Sequence, residues 1–163
     1  MLARVLSQYK NSQSAEVRRQ FTNELAYVLA TFLARHGDCL SDFDLVTVVP
    51  SSQGRTPPLV DVLGRRIGLT SRRFAEALMT SCKNDRRMRP HCYDVTADVR
   101  GRSVLLVDDT WTSGASVQSA AVALKRAGAG HVAGLVIGRH LDEPCPAAPV
   151  PFDWDTCCLC RRG

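Results

Sequence analysis

The sequence predicts a single α/β domain, a parallel sheet with helices on both faces, from three observations. DLVTVVP (44–50), SVLLVDD (103–109) and HVAGLVIG (131–138) have the continuous apolar character of strands buried on two faces. Between the second and third runs, Val117, Ala121 and Leu124 recur with helical spacing, so strand, loop, helix and strand follow one another as a parallel βαβ unit. The chain has 163 residues, 45% apolar and 23% charged, which suits one packed domain and excludes a disordered chain or a fibre.

Taken in order, the N-terminal MLARVLSQYK lacks the apolar run of a secretory signal, which predicts a cytoplasmic protein. The longest uncharged apolar stretch, Leu25 to Ala34, has ten residues, against about 20 for a bilayer span, so no membrane association is expected. Val17, Phe21, Leu25, Val28 and Phe32 form a helical stripe over 15–36, with Ser14 placed to cap the helix and Gly37 to end it. The strand at 44–50 is stopped by Pro50. After the loop SSQGRTPP, Thr56 and Pro57 suit the N-cap and first turn of a helix carrying Leu59, Val60, Leu63 and Ile67, with Gly68 as its stop. Ser71 to Gly101 has weak periodicity, Pro90 and clustered arginines, and is expected to be in part an exposed excursion. The helix after the second acidic strand should end near Gly128, and His131 and His140 read as surface residues.

The net charge is +5, and one stretch carries it: residues 65–102 hold ten basic residues against four acidic ones. A local positive field attracts an anion, whether a phosphorylated metabolite, a nucleic acid or an acidic surface. Of the seven cysteines, Cys39, Cys82 and Cys92 are scattered and read as reduced thiols. Cys145, Cys157, Cys158 and Cys160 lie close together in a tail, 141–163. They are a candidate Zn²⁺ site, with His140, Cys39 or Cys92 as a further ligand, against the alternative of ordinary reduced thiols.

Chemistry concentrates in VLLVDDTWTSGAS (104–116). A buried strand delivers Asp108 and Asp109 to its carboxyl end, where ligands bind in open parallel sheets. The small residues Thr112, Ser113, Gly114, Ala115 and Ser116 then lead into a helix N-terminus, which offers backbone N–H groups and hydroxyls to a phosphate. Acids beside a phosphate cradle are compatible with one ligand if it is a sugar phosphate, whose hydroxyls donate to the carboxylates. Trp111 reads either as core or as a wall of the site.

VLLVDDTWTSGAS resembles the phosphoribosyl pyrophosphate (PRPP) motif of the type I phosphoribosyltransferases. Tyr9 and Lys10, the strand ending VVPSS, the run RRMRPHCYDVTADVRGRSVLLVDD and KRAGAGHVAGLVIGR are similar to the ComF-like branch, over roughly residues 1–140. The resemblance implies the type I phosphoribosyltransferase fold with a flexible hood, and a Mg²⁺-dependent enzyme moving a phosphoribosyl group between pyrophosphate and a nitrogen acceptor. It implies that Asp108 and Asp109 bind the ribose hydroxyls, Thr112 to Ser116 the 5′-phosphate, and Ser51, Ser52 and Arg55 the pyrophosphate. Lys83, Arg86, Arg87 and Arg89 take the hood position and Trp111 the acceptor pocket. Many relatives are homodimers.

The sequence departs from the family at two points. Thr112 stands where the purine-salvage branch has an acid, which argues against purine salvage. The cysteine-rich module and the arginine, glycine, asparagine pattern of ComF-like proteins are not matched, the loop reading SSQGRTPPLVDVLGRR. The alternative is a non-catalytic ComF-like protein that binds PRPP or a nucleotide, or assists DNA uptake. An aromatic content of 6%, with no aromatic among residues 83–89, argues against a stacking groove for single strands.

Overall fold

The computed structural model describes residues 14–36, 42–51, 57–82 and 87–139. Helix α1 (Ala15–His36) opens on Ser14, whose Oγ accepts from the Val17 N–H at 3.4 Å and whose carbonyl accepts from the Arg18 N–H at 3.0 Å. Its buried residues are Thr22, Leu25, Leu29 and Leu33; of the expected stripe Leu25 is buried, Phe21 and Phe32 are partly buried against the same core, and Val28 is 47% exposed. Leu25 to Ala34 is almost entirely apolar, so two neighbouring stripes share the helical period and the facing sheet chooses between them. Leu29→Ala is therefore expected to cost about 2–5 kcal/mol, as for a buried leucine. Val28→Ala should stay within about 0.5 kcal/mol, both read by urea unfolding.

The central sheet is parallel, in the order β1 (Leu45–Val48), β4 (Ser103–Trp111), β5 (His131–Arg139). All four residues of β1 are buried, as are Val104 to Val107 of the central strand. Alternation along the strands divides the core in two. Val46, Val48, Leu105 and Val107 pack with α1 and with Leu59, Val62 and Leu63, while Leu45, Val104 and Leu106 pack with Val117, Ala120 and Leu124 of helix α4 (Ala115–Arg126). Helices thus cover both faces, and the chain is α/β. None of His131 to Gly138 in β5 is fully buried, in contrast to the expected buried strand. It pairs with β4 on one side and ends the described sheet.

The second helical segment starts at Pro58 as α2 (Pro58–Asp61) and widens into a π-type turn at Val62–Arg66. It stops at Ile67, whose backbone is extended, one residue before the expected glycine, and Gly68 instead opens the short helix α3 (Gly68–Ser71). The buried Thr70 hydroxyl donates to the Leu63 carbonyl at 2.6 Å, satisfying a helix-end acceptor that the break exposes.

Residues 71–82 and 87–101 hold more regular structure than their composition predicts. Phe74 bridges to Val46, and β2 (Leu78–Thr80) pairs antiparallel with β3 (Tyr93–Val95). Ala77, Leu78 and Val99 join the α4-side core. Cys92 ends a 3₁₀ turn (Pro90–Cys92) and is joined to Cys82 in a disulfide, correcting the expectation of separate thiols. Antiparallel pairing sets residues ten apart in sequence opposite one another, a proximity that local spacing does not reveal.

Helix α4 ends where expected. Gly128 has φ +100°, its N–H donates to the Lys125 carbonyl and the Ala129 N–H to the Leu124 carbonyl, both at 3.0 Å, the pairing of a Schellman turn. No helix among the described residues is long and apolar enough to cross a membrane.

Candidate ribose-phosphate site

The site is set by one topological fact: β1 and β4 run parallel, with Val48 opposite Val107. The segment after β1, beginning at Pro50 and Ser51, and the acids at the end of β4 therefore emerge at the same, carboxyl, end of the sheet. Ser51 is half-buried there. Ser52 and Arg55, as well as Lys83 and Arg86 of the expected hood, lie outside the described residues, as do Tyr9, Lys10, Cys39, His140 and the tail cysteines of the expected zinc site.

Asp108 and Asp109 do not share one environment. The alternation that places Leu106 toward α4 carries Asp108 to the same face, half-buried, with its Oδ1 accepting from the Asp109 N–H at 2.9 Å. Asp109 follows Leu105 and Val107 toward the α1 face and is 8% exposed.

Beyond β4 the chain turns through Thr112, Ser113 and Gly114 into α4. Gly114 occupies the N-cap position with φ +76°, a left-handed conformation that suits glycine. A second constraint comes from Trp111, because a Cβ on Gly114 would lie 2.2 Å from the indole Cζ2. Trp111 is half-buried over this glycine and packs on the α4-side core, so the indole holds the turn in shape. Glycine supplies no capping side chain, the first turn carries no acid, and Lys125 and Arg126 complement the other end of the helix. The Ser113 Oγ accepts from the Ala115 N–H at 3.4 Å within the turn.

Tyr93, which sequence reasoning missed, joins this cluster from β3. Its half-buried phenol is hydrogen-bonded with Ser116 in the first turn of α4 and lies in the field of Asp108. Burial pushes the phenol above its ordinary value of 10.0, the Ser116 bond opposes the rise, and the negative Asp108 adds to it. The phenol thus remains protonated at neutral pH. Tyr93 carries no local motif, and only the β2–β3 pairing and its docking on α4 reveal it. The same ribbon brings in the hood segment, where the Arg89 N–H donates to the buried Ser119 Oγ of α4 at 2.8 Å. Arg89 is half-buried and Arg87 exposed.

The remaining positive charge is dispersed. Arg65 and Arg66 both pair with Asp61, at 3.7 and 2.6 Å. Arg73 donates to the Phe43 carbonyl at 2.8 Å and lies 5.4 Å from the centre of that ring, just before β1. Arg100 and Arg102 precede β4. The last three stand at the amino end of the sheet, opposite the acids, so the charge excess of 65–102 is not one patch.

Among the described residues, no group of three or more His, Cys, Asp or Glu ligands gathers around Asp108 and Asp109. No protein-family model matches the chain, and no curated protein matches it.

Proposed function

We propose that the protein binds PRPP with Mg²⁺ and transfers the phosphoribosyl group to, or from, a nitrogen acceptor, as the resemblance to the type I phosphoribosyltransferases of the ComF-like branch implies. The observation that best supports this reading is the end of β4, where two carboxylates are followed within five residues by a left-handed glycine at the start of a 12-residue helix.

On this reading Asp108 and Asp109 accept hydrogen bonds from the ribose hydroxyls, and Thr112 to Ser116 hold the 5′-phosphate through backbone N–H groups and hydroxyls. Tyr93 keeps the Ser116 side chain oriented while the phosphate is absent. Ser51, Ser52 and Arg55 hold the pyrophosphate at the same end of the sheet, and bound Mg²⁺ would neutralise part of its charge. Lys83, Arg86, Arg87 and Arg89 close over the leaving group, offsetting the charge that develops there and excluding water. Trp111 serves first to hold the phosphate turn, and its exposed edge borders the acceptor.

A thermal-shift panel tests the proposal. A ligand at about 100 times its Kd adds roughly 2.7 kcal/mol to stability. For a chain of this size that raises Tm by about 5–10 °C. PRPP with Mg²⁺ is expected to produce such a shift, and to exceed nucleoside monophosphates. No shift with PRPP, together with salt-sensitive stabilisation by single-stranded DNA, would transfer the reading to the DNA-handling alternative.

A further inference from the structure

Away from the proposed ribose-phosphate site, Cys82, His91 and Cys92 each bring one ligand atom within 4.8 Å of the others. The ribbon builds this cluster: Thr80 lies opposite Tyr93, and the Ser81 N–H donates to the Cys92 carbonyl at 3.1 Å, which places the two cysteines across from each other with Cα atoms 5.3 Å apart. His91 joins them because the 3₁₀ turn packs it immediately before Cys92. Cys92 is 2% exposed, Cys82 is half-buried and His91 is exposed, so the cluster is closed to solvent on the Cys92 side and open at His91.

Two states are available to such a cluster. Under oxidising conditions the cysteines form the observed disulfide. Where thiols are kept reduced, a paired cysteine motif is more often a metal site, and two thiolates with an imidazole are a tetrahedral zinc donor set. The mixed sulfur and nitrogen set disfavours Mg²⁺ and Ca²⁺, which prefer oxygen.

We propose that Cys82, His91 and Cys92 form a redox-gated Zn²⁺ site with its fourth position open to solvent. A dithiol reductant supplies two electrons and two protons, the Cys82–Cys92 bond breaks to give two thiols, and the reductant closes to its own disulfide. Zn²⁺ then displaces both thiol protons to solvent and takes neutral His91 as its third ligand. Either cross-link ties the two ends of the basic segment 83–91 together. Cys92 leads directly into Tyr93 and so into the contact with Ser116.

The test uses the full chain with Cys39, Cys145, Cys157, Cys158 and Cys160 changed to serine, leaving Cys82 and Cys92, titrated with Co²⁺ as a spectroscopic stand-in for zinc. After reduction, one equivalent is expected to bind with thiolate charge-transfer and tetrahedral ligand-field bands that Zn²⁺ abolishes; the oxidised chain should bind none. Cys82→Ser should remove the bands, and His91→Ala should weaken binding at least tenfold. The unsubstituted reduced chain, measured in parallel for zinc content, should hold one equivalent more than its Cys82→Ser variant, which keeps the test valid if the five-serine chain does not fold. Equal metal uptake by reduced and oxidised chains, no uptake after reduction, or an unchanged affinity in His91→Ala would overturn the proposal.

Discussion

The Asp108→Asn, Asp109→Asn double variant is expected to lose PRPP binding in calorimetry while retaining cooperative unfolding. Each carboxylate that accepts from a ribose hydroxyl makes a charge-assisted bond worth about 1.5–3 kcal/mol, and its loss costs roughly 10- to 150-fold in affinity. Removal of both pushes binding down by about 100- to 10⁴-fold. Asparagine keeps the shape of each side chain, so the fold should survive, although Asp109, at 8% exposure, should show the larger loss of stability when changed alone. Asp108 lies in the field of Tyr93, which is itself hydrogen-bonded with Ser116 of the phosphate turn, so Asp108→Asn alone should show the larger loss of affinity. Unchanged affinity in the double variant would remove both acids from the site.

Gly114→Ala should be the most damaging small substitution in the turn. A left-handed backbone costs a non-glycine residue about 1–2 kcal/mol. Forcing a methyl group into a filled space costs about 1–3 kcal/mol more, and here the new Cβ would meet Trp111 at 2.2 Å. The expected loss is therefore about 2–5 kcal/mol by urea unfolding, a large share of the 5–15 kcal/mol typical of a domain. A double-mutant cycle separates the two causes. In a Trp111→Ala background, Gly114→Ala should cost only the backbone part, leaving a coupling of about 1–3 kcal/mol. A coupling near zero would show that the indole does not brace the turn.

The strands around the site were legible because their signal is local. DLVTVVP and SVLLVDD are continuous apolar runs, and the residues they bury are those the runs announce, Leu45 to Val48 and Val104 to Val107. The turn at 112–116 was legible for the same reason, since Gly114 and its neighbours are contiguous in sequence. What sequence could not decide depends on partners distant along the chain. Val28 and Leu29 are equally apolar, and only the sheet beneath α1 selects Leu29. Strands β2 and β3 have three residues each, too short for a periodic signal, so the stretch 71–101 read in part as an exposed excursion and gave no sign that Leu78 and Val99 are core. Tyr93 and the Cys82–Cys92 pair follow from that missed ribbon. The charge excess illustrates the converse error: arginines close in sequence were read as one field, whereas Arg65 and Arg66 answer Asp61, and Arg100 and Arg102 stand at the far end of the sheet.

The central claim is that the end of β4 and the start of α4 hold a phosphorylated ribose. The most direct measurement is an amide NMR titration of the full chain with PRPP and Mg²⁺. Saturable shifts concentrated at Asp108–Val117 and reaching Tyr93, and absent from the double asparagine variant, are the predicted result. Saturable shifts centred elsewhere, or none at all in a folded chain, would contradict it.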